Sequence, residues 1–277
     1  MTSWPAPAKL NLFLHVVGRR PDGRHELQTL FQLLDYCDTL ELTVTNDGTI
    51  CRRGAEALPE EDLTLQAARC LQQATGTRLG AEIFLDKRIP VGAGLGGGSS
   101  DAATTLIALN QLWDTGLSRT RLAALGLTLG ADVPVFIHGR SAWGEGVGEQ
   151  LTPVDLPPRC YCVIWPQVAV STAAIFGAAE LTRTTPRIRI PTLLTGDLRN
   201  DLEPVASRKY PEVAKCLAWL DRFGKARMTG SGSAAFLDVA DMGAGQAILD
   251  QLPPWYIGFV TRGIARHPLY VEEPDGV

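Results

Sequence analysis

A chain of 277 residues with 45% hydrophobic and 20% charged side chains can bury a sizeable core, as one large domain or two moderate ones, and is too apolar for disorder. Its formal net charge of −4 supplies no basic field for a phosphate polymer, so nucleic acid is not expected as a partner, while a small anion in a local cradle is compatible with it. The six cysteines (Cys37, Cys51, Cys70, Cys160, Cys162 and Cys216) form no C-x-x-C pair and have no histidine at zinc-ligand spacing. Reduced thiols, no zinc site and a cytoplasmic location are the expectation, and no stretch approaches the about 20 apolar residues of a membrane helix.

In chain order, residues 10–17 alternate imperfectly and run into the polar turn 18–23, which predicts a strand. Residues 27–34 are apolar and suit either type of element. Residues 38–45, with Leu40, Leu42 and Val44 on one face, predict a half-buried strand. Leucines and alanines at helical spacing over 63–75, with Gly76 just beyond, predict a helix with its stop. A strand over 81–85 then feeds a glycine loop, and a helix over 100–112 leaves it.

Residues 118–129 predict a further helix with Ser118 as N-cap and Gly130 as terminator, and residues 130–136 a helix end or turn that holds Asp132 among apolar neighbours. Residues 139–148 read as strand and turn. The proline-rich stretch 152–158 marks the expected domain join, dividing 1–156 from 157–277. Beyond it come a strand over 160–166, helices over 171–181 and 211–223, a second glycine-serine loop entering a strand over 227–237, and a strand over 256–262. Strands and helices mix throughout without an internal repeat, so the class is α+β.

The strongest chemical signal is Pro90-Val91-Gly92-Ala93-Gly94-Leu95-Gly96-Gly97-Gly98-Ser99-Ser100. Glycine has no Cβ, so backbone N–H groups there can lie directly against oxyanions, and a helix starting at Ser99 or Ser100 would add its free amides and positive dipole end. Gly92, Gly94 and Gly97 also satisfy G-x-G-x-x-G. A dinucleotide fold, however, needs a strand running straight into the first glycine and an acid about twenty residues later; Ile89-Pro90 interrupts the approach and Asp114 is the only acid in range. The nucleotide pattern G-x-x-x-x-G-K-[ST] is missing, since Gly224-Lys225 lacks its upstream glycine and following hydroxyl. What stands is a phosphate cradle, with an ordinary glycine-rich turn before a helix as the plainer alternative.

Three separated segments coincide with a known family. They are Pro7-Ala8-Lys9-Leu10-Asn11-Leu12 followed by Asp22-Gly23-Arg24-His25-Glu26-Leu27, the glycine loop with Gly130-Ala131-Asp132-Val133-Pro134, and Met228-Thr229-Gly230-Ser231-Gly232-Ser233. In these the chain resembles the GHMP small-molecule kinases, and among them the branch acting on a CDP-linked methylerythritol in the non-mevalonate route to isoprenoid precursors. The resemblance implies an N-terminal α/β domain, a smaller C-terminal domain and an active site between them. It implies ATP as phosphoryl donor with Mg2+, transfer to the 2-hydroxyl of the erythritol moiety, and a monomer or weak homodimer that meets neither nucleic acid nor membrane.

Carried onto this sequence, the ATP loop is Pro90 through Ser100, Asp132 is the general base and Lys9 the cation that pairs with it. Asn11, His25, Phe176, Gly230 and Ser231 contact substrate, with His25 reading the cytosine edge. No protein ligand for a metal is assigned. Taken singly, Asp132 also reads as a turn or capping carboxylate, Lys9 as a solvated surface cation, His25 as a structural histidine, Phe176 as core and Gly230 to Gly232 as a tight turn. Arg24 departs from the family's usual tyrosine, and a guanidinium can still stack on a base. Mevalonate-type or homoserine-type kinases, a dinucleotide-dependent oxidoreductase and a non-catalytic domain of the same architecture are the competing readings.

Overall fold

Residues 3–54, 62–189 and 198–270 are described by a computed structural model. Two long antiparallel strands, β1 (Ser3–Arg19) and β2 (His25–Thr45), organise it, and β3 (Ile50–Arg52) and β4 (Gly80–Asp86) extend their sheet on one side. Helices α1 (Leu63–Thr75), α2 (Gly97–Leu112), α3 (Arg119–Leu129) and α4 (Val133–His138) follow, interleaved with β4, and the hairpin β5 (Ala142–Glu145) and β6 (Gln150–Pro153) closes the first half. The second half contains β7 (Cys160–Trp165), α5 (Thr172–Phe176), α6 (Glu203–Lys209), α7 (Pro211–Leu220), β8 (Arg227–Met228), β9 (Ala235–Val239), α8 (Met242–Leu249) and β10 (Ile257–Ile264).

The sheet order β3-β4-β2-β10-β7-β9-β8, with β1 and β5 also on β2, is antiparallel except for β3–β4. The helices and strands are mixed as an α+β fold, at 31% and 32% of the described residues. The mainly antiparallel sheet is unlike the parallel sheet of a dinucleotide fold. Asp114 stands just past the far end of the 16-residue α2, roughly 24 Å along the axis from the glycine loop, where it could not serve a ribose.

The ambiguous segment 27–34 is strand. Every one of its residues is buried, because β2 is central and covered on both faces, and such a strand loses the alternation that would mark it in sequence. The helix expected over 63–75 forms over those residues, capped by the Asp62 carboxylate on the amides of Thr64 and Leu65 and stopped by Gly76 at φ 68°. The helix expected over 171–181 is shorter, ending at Phe176 with Gly177 as cap. Helix α8 was not evident in the sequence because Gly243 and Gly245 weaken its pattern; a Cβ on Gly245 would meet Val260 Cγ1 at 2.6 Å, so the glycine lets the helix lie against β10.

Two cores flank the sheet. One packs α1 to α4 on β2 and β4 around Leu71, Ile83, Leu106 and Phe136. The other packs α5 to α8 on β7 and β9 around Cys162, Ile164, Leu217 and Leu237, and takes in Leu14 and Val16 from β1. A third cluster, with Phe13, Tyr161 and Phe236, lies between them. The sheet is continuous past the proline-rich stretch through the β2–β10 pairs Leu34–Gly263 and Leu33–Ile264. The cleft between the two cores opens beside the glycine loop.

Candidate active site

Lys9 and Asn11 are two apart on β1 and share a face, and register shifts between Pro7 and Lys9 and between Asn11 and Leu14 bracket them. Both are buried in the wall of a cavity of about 930 Å³, large enough for a nucleotide-sized ligand. Lys9 Nζ donates to Asn11 Oδ1 and, at 3.0 Å, to Gly94 O, and lies 3.2 Å from Asp132 Oδ2. Three oxygens thus meet three ammonium donors. Asn11 is held in turn by Nδ2 on Thr29 Oγ1 (2.8 Å), whose hydroxyl donates to Phe13 O (2.6 Å).

Asp132 occupies the N-cap position of α4, yet its carboxylate caps no amide. It points to Lys9 instead and remains about one-third exposed to the cavity, while Lys9 is 2% exposed. A capping role is therefore not what orients it. The carboxylate has an oxygen accessible to a ligand and a cation beside it.

The glycine loop passes over Lys9. Gly94 and Gly96 have φ of 77° and 73°; a Cβ at Gly94 would meet Thr229 O at 2.3 Å, and one at Gly96 would meet Lys9 Cε and Phe136 Cζ at 3.0 Å. Gly96 is the N-cap of α2, so the amides of Gly97, Gly98 and Ser99 begin the helix without intrahelical partners. Pro90 through Ser99 all line the cavity. Ser100 does not: it is fully buried, its amide donates to Gly96 O at 2.8 Å, and its hydroxyl has no protein partner.

The second glycine loop closes on the first. Ala234 N donates to Ala93 O (3.0 Å), and Asn200 Nδ2 grips Met228 O (2.9 Å) and Gly230 O (2.8 Å). Gly230 and Ser231 face the cavity, Ser231 Oγ lying 2.7 Å from Thr172 Oγ1. Such a constellation of cradle amides, one lysine and one accessible carboxylate is what phosphoryl transfer to an alcohol asks of a protein.

Residues 62–140 match the family GHMP kinases N terminal domain and residues 187–257 match GHMP kinases C terminal. The chain is 55% identical over 273 residues to the 4-diphosphocytidyl-2-C-methyl-D-erythritol kinase of Halorhodospira halophila, covering 97% of this chain and 95% of the relative. It is 56% identical to the enzyme of that name from Alkalilimnicola ehrlichii, covering 95% and 91%. The chain belongs to the GHMP kinases, in the 4-diphosphocytidyl-2-C-methyl-D-erythritol kinase family. A crystal structure of 4-(cytidine 5'-diphospho)-2C-methyl-D-erythritol kinase superposes with a TM-score of 0.83 at 37% identity, over 95% of this chain and all of that one. A mevalonate kinase structure, with a TM-score of 0.70 at 14% identity over 96% and 100%, shares the fold.

At the other end of this kinase's cavity, His25 starts β2 and its ring centroid lies 5.1 Å from that of Phe176, the last residue of α5. Burial, with the Arg183 and Arg19 guanidinium groups, holds His25 below its ordinary pKa. Arg24 also lines this end, exposed and 3.7 Å from Asp22. Sequence reasoning missed Lys87, which lines the cavity below Gly97 and is held by Asp38 and, at 2.9 Å, by Asp101. It also missed Thr29, Thr229 and Arg183. The charged Lys87-Arg88 pair just before the loop was the one available signal for the first; Thr229 stood in the second glycine loop's motif without an assigned role, and nothing local marks Thr29 or Arg183.

Proposed function

We propose that this chain transfers the γ-phosphoryl group of ATP to the 2-hydroxyl of 4-diphosphocytidyl-2-C-methyl-D-erythritol. The observation that carries the reading is the 3.2 Å contact between Lys9 and Asp132 at the wall of a cavity that the glycine cradle also lines, Lys9 reaching Gly94 O at 3.0 Å, and the relatives' names supply the substrate. Asp132 accepts the proton of the acceptor hydroxyl as its oxygen bonds to the γ-phosphorus and the β–γ bridging bond breaks, releasing ADP. Lys9 orients that carboxylate and offsets the charge that gathers on the transferring group.

The amides of Gly97, Gly98 and Ser99 bind phosphate oxygens, and Gly230 and Ser231 approach from the C-terminal half. His25 reads the pyrimidine, Phe176 stacks on it, and the Arg24 guanidinium takes the place of a second aromatic face. Among the described residues no group of three or more His, Cys, Asp or Glu is placed to hold a metal. A magnesium ion accompanying the nucleotide would neutralise phosphate charge, and Ser99, which lines the cavity, would offer it a hydroxyl oxygen. No helix among the described residues is long and apolar enough to cross a membrane, and ATP as donor goes with a cytoplasmic enzyme.

The test is a coupled ATP-consumption assay with magnesium over a panel of the CDP-linked methylerythritol, mevalonate, homoserine and galactose. Turnover of the first alone is expected. Turnover of another member, or of none, overturns the substrate assignment.

A further inference from the structure

Arg183 lies in the segment after α5 and does not line the cavity. All five of its N–H groups have acceptors: Nη1 donates to Ala179 O (3.4 Å) and Leu181 O (3.1 Å), Nη2 to Phe176 O (3.2 Å) and Ala178 O (2.6 Å), and Nε to His25 Nε2 (3.0 Å). Among the described residues no carboxylate pairs with it. Four carbonyls fix the guanidinium, and its remaining donor is aimed at the ring that faces the substrate end of the cavity. Thr185, two residues on, ties the same segment to β1 through Val16 O (3.1 Å) and to Asp201 Oδ2 (2.6 Å), so the donor is delivered from a braced strand of backbone.

A guanidinium can only donate. The nitrogen it meets must therefore present a lone pair, and the imidazole proton must sit on the other nitrogen, Nδ1, which has no hydrogen-bond partner among the described residues. We infer that Arg183 is a positioning residue for the substrate base: it locks His25 as the Nδ1–H tautomer, whose donor selects a pyrimidine with a lone pair at ring position 3. Cytosine has that lone pair; uracil carries a hydrogen there and would place donor against donor. This rests on the cytidine reading of the substrate given above. Loss of a matched donor in a site built for it is the kind of change that discriminates strongly between otherwise similar ligands.

The charged groups around His25 are Arg183 from the α5 side, Arg19 opposite it in the β1–β2 ladder, and its chain neighbours Arg24 and Glu26, the last engaged by Arg20 and Arg187. Burial first, and then the two arginines that bear on the ring, oppose a second proton and lower the pKa of His25.

The experiment combines spectroscopy with kinetics. The chain has four histidines, so a long-range ¹H–¹⁵N spectrum of the labelled wild-type protein, with His25→Gln for assignment, reads the tautomer directly. An Nδ1–H ring whose titration midpoint lies below 6.5 is expected. An Nε2–H ring, or an imidazolium at pH 7, overturns the inference whether or not any variant folds.

In Arg183→Met, KM for the cytidine substrate should rise about ten-fold with kcat little changed, and the preference over the uridine-linked analogue should shrink by a similar factor. That KM should fall again below pH 6.5, where the imidazolium regains a proton on Nδ1, while the wild-type value stays flat; Arg183→Lys should recover part of the loss. A folded Arg183→Met enzyme with unchanged KM and unchanged base preference sinks the claim. A wild-type enzyme that ignores the cytidine substrate but shows the Nδ1–H ring overturns the substrate reading and the base selection with it, while the tautomer assignment is decided separately by the spectrum.

Discussion

Two lysines line the same cavity and both face carboxylates, yet their surroundings differ. Lys9 meets a single carboxylate, that of Asp132, which caps nothing and keeps about a third of its surface open. Lys87 is held between Asp38, fully buried and also accepting the amides of Arg88 (2.5 Å) and Ile89 (2.7 Å), and Asp101, 3% exposed. Burial alone would lower the Lys87 pKa, and the two carboxylates more than offset it, holding the ammonium above its ordinary value. An ion pair with an accessible oxygen is equipped to take a proton. A cluster whose atoms are committed to one another braces the strand that enters the glycine loop.

The sharpest way to break that contrast is Asp132→Asn, which keeps shape and removes the base. A fall in kcat of about 10²–10⁴ is expected with KM for ATP and substrate little changed, and a variant within ten-fold of wild type would make Asp132 only an orienting group. Lys87→Met should do the opposite. Leaving the buried Asp38 carboxylate without its cation and Asp101 without its donor should cost about 3–5 kcal/mol of stability in urea unfolding, with near-normal kcat per folded molecule; unchanged stability would deny the bracing role.

Asn200→Ala removes two donors from the second glycine loop and one acceptor from Leu202 N. A loss of about 1–3 kcal/mol is expected, together with a raised KM if that loop holds ligand.

The smallest effect is a slope. Burial pushes Asp101 up to about 8, against Lys87, which pulls it down, and Asp38 adds to the rise. Between its unfolded value of 3.8 and about 8 the folded state therefore binds more protons than the unfolded one, so this group's contribution makes stability fall as pH rises through that window. Asp101→Asn should flatten the fall. Equal slopes for the two proteins would remove Asp101 from the account. His267 bends the curve the other way on the acid side: burial lowers it to about 3, so stability is lost as pH falls from 6.5 toward that value.

Much of the local structure was legible. Helix α1 could be read with both caps, since Asp62, the helical spacing and Gly76 all act within a turn or two of chain. The long helix after the glycine loop and the strand over 160–165 were legible for the same reason. Residues 27–34 were not, because a strand covered on both sides hides its period, and α8 was not, because its glycines serve contact with Val260 rather than helix formation. At the site, the cradle and the Lys9, Asn11 and Asp132 positions stood out through their motifs. Ser100 did not behave as its motif position suggested: one helical residue beyond Ser99 turns its side chain into the core. Arg183 and Lys87 act through partners 158 and 49 residues away in sequence, for which no spacing rule exists.

By itself the sequence determined the mixed class, the glycine-rich anion cradle and the set of residues able to serve phosphoryl transfer, because these depend on side-chain chemistry and on backbone freedom within a few residues. Only the tertiary structure decided that Lys9 meets Asp132, that the two glycine loops interlock at Gly94 and Thr229, and that a guanidinium stands behind His25. Those contacts come from packing two cores against one sheet, where proximity is set by strand register and buried volume rather than by distance along the chain.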